Sequence, residues 1–94
     1  MFKNTKIRQR IRFFGLVQGV GFRYTAIHAA NHFGLTGWVY NDYDGSVLME
    51  VQGNPSTIEK MLATLDSGHF IRIDRMEKSQ LPPDENERSF SVRY

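Results

Sequence analysis

The periodicity of the hydrophobic residues changes once, abruptly, within the first third of the chain, and that change limits the folds available to it. From Ile7 to Phe14 the residues alternate, with Ile7, Gln9, Ile11 and Phe13 on one face and Arg8, Arg10 and Arg12 on the other, the pattern of a half-buried strand. From Phe22 the spacing becomes helical, through Ala26, Ala29 or Ala30 and Phe33, and stops at Gly34, a residue suited to ending a helix. Between the two lies Gly15–Gly21, with glycines at 15, 19 and 21. A strand that enters a helix through such a loop points backbone N–H groups and the positive end of the helix dipole at one place, which favours an anion.

The remaining segments extend this start into a full element order. Leu35 to Asn41 reads as a second strand, and Ser46 to Gln52 as a third with Val47, Met49 and Val51 facing inward; Asn41-Asp-Tyr-Asp-Gly45 supplies the hairpin between them. Asn54 followed by Pro55 caps a second helix whose apolar stripe, Ile58, Met61, Leu62 and Leu65, ends near Gly68. Ile71 and Ile73 open a fourth strand, a polar loop runs from Ser79 to Arg88, and Phe90, Val92 and Tyr94 alternate in a short last strand. The order βαββαβ plus a short terminal strand predicts an α+β fold, a ferredoxin-like split βαβ sandwich with two helices on one face of an antiparallel sheet. In that topology the first two strands run in the same direction, so the glycine loop and Asn41 emerge at the same end of the sheet.

With 94 residues, a single domain over 1–94 is expected. The absence of cysteine excludes disulfide scaffolds, Cys-rich zinc sites and thiol nucleophiles. The first residues lack an apolar segment of signal-peptide length and no later run is long enough to span a bilayer, so the expected setting is the cytoplasm, without membrane attachment. A formal net charge of +2 is too small for the overall field of most nucleic-acid binders. Its distribution is uneven, because Lys3, Lys6, Arg8, Arg10 and Arg12 all precede the first acidic residue, Asp42, while Pro82–Glu87 is acidic.

Arg23 stands in the first turn of the first helix, where its planar five-donor fork suits phosphate oxygens. The loop is not a Walker A motif, which needs Gly-Lys-Ser/Thr, nor a dinucleotide fingerprint, because Tyr24 occupies the third glycine position. His28 and His32 lie four residues apart, but Ala29 replaces the glutamate of His-Glu-x-x-His and no third ligand is evident, so no metal is expected. The arginine face of the first strand, with Phe14 in line, offers an alternative: an RNA-binding or regulatory module without catalysis. Against it, the Lys/Arg-Gly-Phe/Tyr-Gly/Ala-Phe-Val-x-Phe/Tyr consensus is missing and the third strand turns Leu48, Glu50 and Gln52 outward, which predicts a solvated, arginine-striped face.

The run Gly15-Leu-Val-Gln-Gly-Val-Gly-Phe-Arg23 resembles the first signature of the acylphosphatase family, and Gly37-Trp-Val-Tyr-Asn-Asp-Tyr-Asp-Gly-Ser-Val47 resembles the second. The likeness continues through Gln52-Gly53 to Phe90–Tyr94. It departs at Tyr40, where the family commonly has a basic residue, and at Gly68-His-Phe-Ile71, in place of a usual Gly-Pro turn. The resemblance implies a monomeric hydrolase of small-molecule acyl phosphates that needs no cofactor, releases a carboxylate and is inhibited by its product, inorganic phosphate. It further implies that the loop Gln18, Gly19, Val20, Gly21, Phe22 and Arg23 binds the phosphate, and that Arg23 and Asn41 are the catalytic pair. Asn41, a neutral amide, would orient the attacking water rather than abstract its proton.

Overall fold

A computed structural model describes residues 5–94, so Lys3 of the basic amino-terminal run lies outside the described residues. The elements are β1 (Ile7–Leu16), α1 (Phe22–Phe33), β2 (Thr36–Asn41), β3 (Val47–Gly53), α2 (Pro55–Asp66), β4 (Arg72–Leu81) and β5 (Phe90–Arg93). The strands form one five-stranded sheet in the order β4-β1-β3-β2-β5. Both helices pack on one face over Ile11, Phe13, Val39, Met49 and Val51, and Ala26, Ala30, Ile58, Met61 and Leu65 complete the core from the helical side. Among the described residues no helix is long and apolar enough to cross a membrane.

Local signals in the sequence place the helix ends. Asn54 Oδ1 accepts from the Ser56 amide at 3.0 Å, while Pro55 begins α2 with an N–H it does not need. Gly34 closes α1 with φ of 69°, and the next amide, that of Leu35, bonds back to the Ala30 carbonyl at 2.8 Å.

Three features differ from expectation. The short last strand pairs parallel to β2, Gly37 opposite Phe90 and Tyr40 opposite Arg93, so the sheet is mostly rather than wholly antiparallel. β4 runs on to Leu81 and takes in Ser79 and Gln80, which read as loop, because Arg8, Gln9 and Arg10 of β1 supply ladder partners that polar residues accept as readily as apolar ones. Finally, the sheet face away from the helices is only in part the solvated arginine stripe expected: the Arg10 side chain is 50% exposed, but Arg8, Glu50 and Gln52 are covered. Arg8 is 5% exposed, Glu50 7% and Gln52 2%.

Sheet register explains that burial. Arg8 stands opposite Gln52 and Arg10 opposite Glu50, so cationic and acceptor side chains share one face of neighbouring strands. Arg8 Nε donates to Glu50 Oε1 at 3.0 Å and its Nη1 and Nη2 donate to the two Glu87 carboxylate oxygens at 2.8 and 3.2 Å. Arg10 donates twice to Glu50 Oε2, at 2.9 and 2.6 Å. Gln52 ties the segment after β4 down by accepting from the Asp84 amide at 2.7 Å and donating to the Asp84 carbonyl at 2.9 Å. Burial pushes the Glu50 carboxyl up, but hydrogen bonds from Arg10 and Arg8 outweigh it and hold the group below its ordinary range. The arginines that suggested an RNA surface are thus already neutralised, and Arg93 lies over the Trp38 ring at 4.3 Å.

Candidate active site

A β-bulge between Phe14 and Gly15 shifts the register of β1 against β4 just before the glycine loop begins. The loop is then fastened by its apolar residues. Val17 is 1% exposed, Val20 packs against the core, and Phe22 sets its ring 4.8 Å from that of Phe13. Gly19 and Gly21, between these anchors, adopt φ of 73° and 80°. A Cβ at either would meet nothing within 4 Å, so glycine is required there by the left-handed backbone and not by crowding.

Gly21 is the N-cap of α1, offers no side-chain cap, and is followed by no acidic residue in the first turn. The first intrahelical bond runs from the Thr25 amide to the Gly21 carbonyl at 2.9 Å, so the amides of Phe22, Arg23 and Tyr24 have no partner within the helix. A helix beginning left bare in this way, with Arg23 in its first turn, concentrates positive potential at one spot. Among the described residues Arg23 forms no ion pair, and its guanidinium lies 5.3 Å from the centre of the Tyr94 ring.

β1 and β2 are each antiparallel to β3, so they run in the same direction and bring the loop and Asn41 to one end of the sheet. Asn41 lies opposite Val47, on the helix-bearing face. Gly19, Gly21, Phe22, Arg23 and Asn41 share a cavity of about 350 Å³. Asn41 Oδ1 is buried and accepts no hydrogen bond from any described residue. A buried amide oxygen without a partner is costly in a folded chain, and it belongs to a residue that lines the same cavity as Arg23.

Gln18 and Val20, the other loop positions singled out from sequence, do not line that cavity. Val20 belongs to the core margin. The Gln18 amide crosses to the β2–β3 hairpin and donates to the carbonyls of Asp42 and Ser46 at 2.5 and 2.8 Å. From β1, Arg12 Nη1 grips the same hairpin through Asp42 Oδ2 at 2.8 Å and Ser46 Oγ at 2.7 Å. Asp44 braces the turn by accepting from the Ser46 hydroxyl and amide, which hold its carboxyl below the ordinary range. Gln18 is next to Gly19 and Asp42 is next to Asn41, so these bonds fix the distance between the two halves of the site.

The cavity also takes in Val17, Tyr24, Ile27, Val92 and Tyr94, which the sequence reading passed over. Ile27 is one turn beyond Arg23 and carried a usable signal, i to i+4 on the same helix face. Val92 and Tyr94 carried none, since their place depends on β5 joining the sheet beside β2. His28 and His32 are exposed and rest on neighbouring rings, His28 on Tyr24 at 4.3 Å and His32 on Phe33 at 4.8 Å. Among the described residues no three His, Cys, Asp or Glu side chains gather where they could hold a metal ion.

The family model for acylphosphatase matches residues 9–92 of the chain. The acylphosphatase of Geobacillus kaustophilus is 44% identical over 81 residues, covering 85% of this chain and 86% of its own. That of Clostridium acetobutylicum is 38% identical over 88 residues, covering 93% and 97%. The crystal structure of the Bacillus subtilis acylphosphatase superposes with a TM-score of 0.85 at 30% identity, over 94% of this chain and 99% of that one. With both signatures, the fold and the sequence in agreement, this chain belongs to the acylphosphatase family.

Proposed function

We propose that this protein hydrolyses the carboxyl–phosphate bond of acyl phosphates, with Arg23 and the amides of Gly19 to Arg23 holding the phosphoryl group and Asn41 orienting the attacking water. The observation that carries the assignment is the cavity that the bare beginning of α1, Arg23 and Asn41 line together.

An acyl phosphate is a mixed anhydride. Its leaving group is a carboxylate, stable at neutral pH without protonation, so the site needs no general acid. What it must supply is positioning and charge stabilisation. The loop amides and the Arg23 fork take up the negative charge on the phosphoryl oxygens. Asn41 Oδ1 accepts a hydrogen bond from water and so directs a lone pair at phosphorus, in line with the bond to the carboxylate. Water adds its oxygen to phosphorus as that bond breaks, and its proton passes to a phosphoryl oxygen. The products are a carboxylate and inorganic phosphate.

The test is phosphate release from benzoyl phosphate with EDTA present. Arg23→Ala should lower kcat/KM by about 10²–10³-fold, and Arg23→Lys should be severely impaired because a point charge does not reproduce the two-pronged contact. Asn41→Ala should lower kcat by about 100-fold while changing KM little, the pattern of an interaction made in the transition state. Folded wild-type protein without turnover would overturn the proposal; wild-type turnover by Arg23→Ala would overturn the site assignment alone. The same reading includes action as a single-domain monomer in the cytoplasm and competitive inhibition by inorganic phosphate, checked by sedimentation, fractionation and steady-state kinetics. The RNA-binding alternative is not favoured, since Arg8, Arg10 and Arg12 are engaged with Glu50, Glu87 and Asp42.

A further inference from the structure

The sheet ends in two unlike edges. β5 has four residues, whereas β4 runs for ten, from Arg72 to Leu81, with β1 on one side and no described strand on the other. Eight of those ten residues are exposed. Such an edge offers an open row of backbone donors and acceptors to any strand that can lie beside it. Charged side chains ordinarily keep a second copy away, because they meet their own kind across the join.

In one register the charges of β4 do the opposite. The run Asp74-Arg75-Met76-Glu77-Lys78 reverses sign about Met76. Antiparallel pairing with a second copy about that residue sets Arg75 opposite the other copy's Glu77 and Asp74 opposite its Lys78, and the twofold axis makes each pair twice. The inner partners share a face, as cross-strand pairs must: Arg75 and Glu77 stand opposite Phe14 and Arg12 of β1, on the face away from the helices. Met76, 39% exposed, meets its own copy on the axis. Centring the pair on Arg75, Glu77 or Lys78 instead places that charge against itself. β4 shifts register against β1 between Ile73 and Arg75, so the outer pair marks the end of the match and the inner pair sets it. The partners these groups have within one chain are exposed and easily exchanged, Arg75 with Glu77 at 3.5 Å, Lys78 with Glu59 at 3.7 Å and Asp74 with Arg72 at 3.1 Å.

We propose that β4 is a self-docking edge: two copies of this chain join antiparallel about Met76, continuing one sheet into the other, in a register set by the Arg75–Glu77 cross pairs. A single pair of strands covers less than the roughly 1,200 Å² of a standard stable interface, so the association is weak and the monomer remains the acting unit in dilute solution. Asn41 of β2 and Val92 of β5 line the cavity towards the other edge of the sheet, and it stays open in the pair. The inference therefore stands apart from the hydrolase reading.

The experiment is sedimentation of the full chain from micromolar to near-millimolar concentration at low salt, where a reversible doubling of mass is expected that added salt weakens. Glu77→Lys and Arg75→Glu each set like charges across the axis, and each should raise the dissociation constant by about tenfold or more. An equimolar mixture of the two variants places every reversed charge against an opposite one, and it should associate as tightly as wild type. That recovery reports on the join alone, since within each variant the charges at 75 and 77 are alike. Thermal melts and phosphate release per chain should be unchanged in both variants, whose substitutions are at exposed positions away from the cavity. No association at the highest concentration, association unmoved by either reversal, or a mixture no tighter than its components would overturn the self-docking edge and leave the hydrolase reading untouched.

Discussion

Replacing Glu50 by glutamine removes one charge from the middle of the ion network while keeping the shape of the side chain. Glu50 accepts one bond from Arg8 at 3.0 Å and two from Arg10 at 2.9 and 2.6 Å. The Arg10 side chain is half exposed, so its share is screened and amounts to about 0–1 kcal/mol. The Arg8 side chain is 6% exposed, and a charge-assisted bond from such a group contributes about 1.5–3 kcal/mol. Arg8 keeps Glu87 at 2.8 Å, so it is not left as a lone buried charge, a situation that would cost about 3–5 kcal/mol. The expected loss is therefore about 2–3 kcal/mol, or a Tm lower by about 8–24 °C for a domain of this size. The pH dependence has a definite sign. The folded pKa of Glu50 lies below its ordinary 4.5, so its contribution is complete above that value and disappears as pH falls through the folded pKa. Thermal melts at stepped pH should show a deficit in Glu50→Gln that is constant near neutrality and closes in acid. The reasoning would be refuted by a variant that melts with wild type at neutral pH, or by a deficit that does not narrow as the pH is lowered into the acid range. Acyl phosphate turnover should be retained, since the network is on the sheet face away from the cavity.

Two further substitutions probe the site's supports. Gly37→Ala should destabilise the fold by about 3 kcal/mol or more, measured by urea unfolding, because φ is 140° and the added Cβ would fall 1.9 Å from the Glu50 carbonyl oxygen in the neighbouring strand. A variant as stable as wild type would mean that β2 and β3 can separate at no cost. Gln18→Ala should leave the protein folded, since two net hydrogen bonds amount to about 1–3 kcal/mol, yet lower kcat about tenfold and weaken inhibition by phosphate, because the loop loses its tie to the Asn41 hairpin. Gln18→Glu should not rescue it, as an ionised carboxylate has no proton to donate to the carbonyls of Asp42 and Ser46. Unchanged kinetics in folded Gln18→Ala would remove the positioning role.

What the sequence made legible is what short-range chemistry decides. The alternation of Ile7–Phe14, the Asn54-Pro55 cap and Gly34 specify elements within a few residues of themselves, and the direction of β1 and β2 followed from their order. Arg23 and Asn41 could be paired on that ground before any coordinates. The polar far end of β4 was hidden because its outer edge meets solvent, so neither face needs apolar residues. Pairing of Arg8 with Glu87, 79 residues away, depends on where the segment after β4 folds back, which no local pattern encodes. The side-chain partners of Gln18 were hidden for a different reason. Its partners are backbone carbonyls, which every residue possesses, so nothing in the identities of Asp42 and Ser46 marks them as its acceptors.

The Gln18 bonds span 24 and 28 residues, and they close only when β1, β3 and β2 are all in place. Such distant closures come late on the folding route, after the entropy of looping the chain has been overcome. Loop and hairpin therefore acquire their spacing together with the pairing of those three strands. Recovery of phosphate binding during refolding should then coincide with completion of the sheet, so that the ligand reports on the native state alone and stabilises it by mass action.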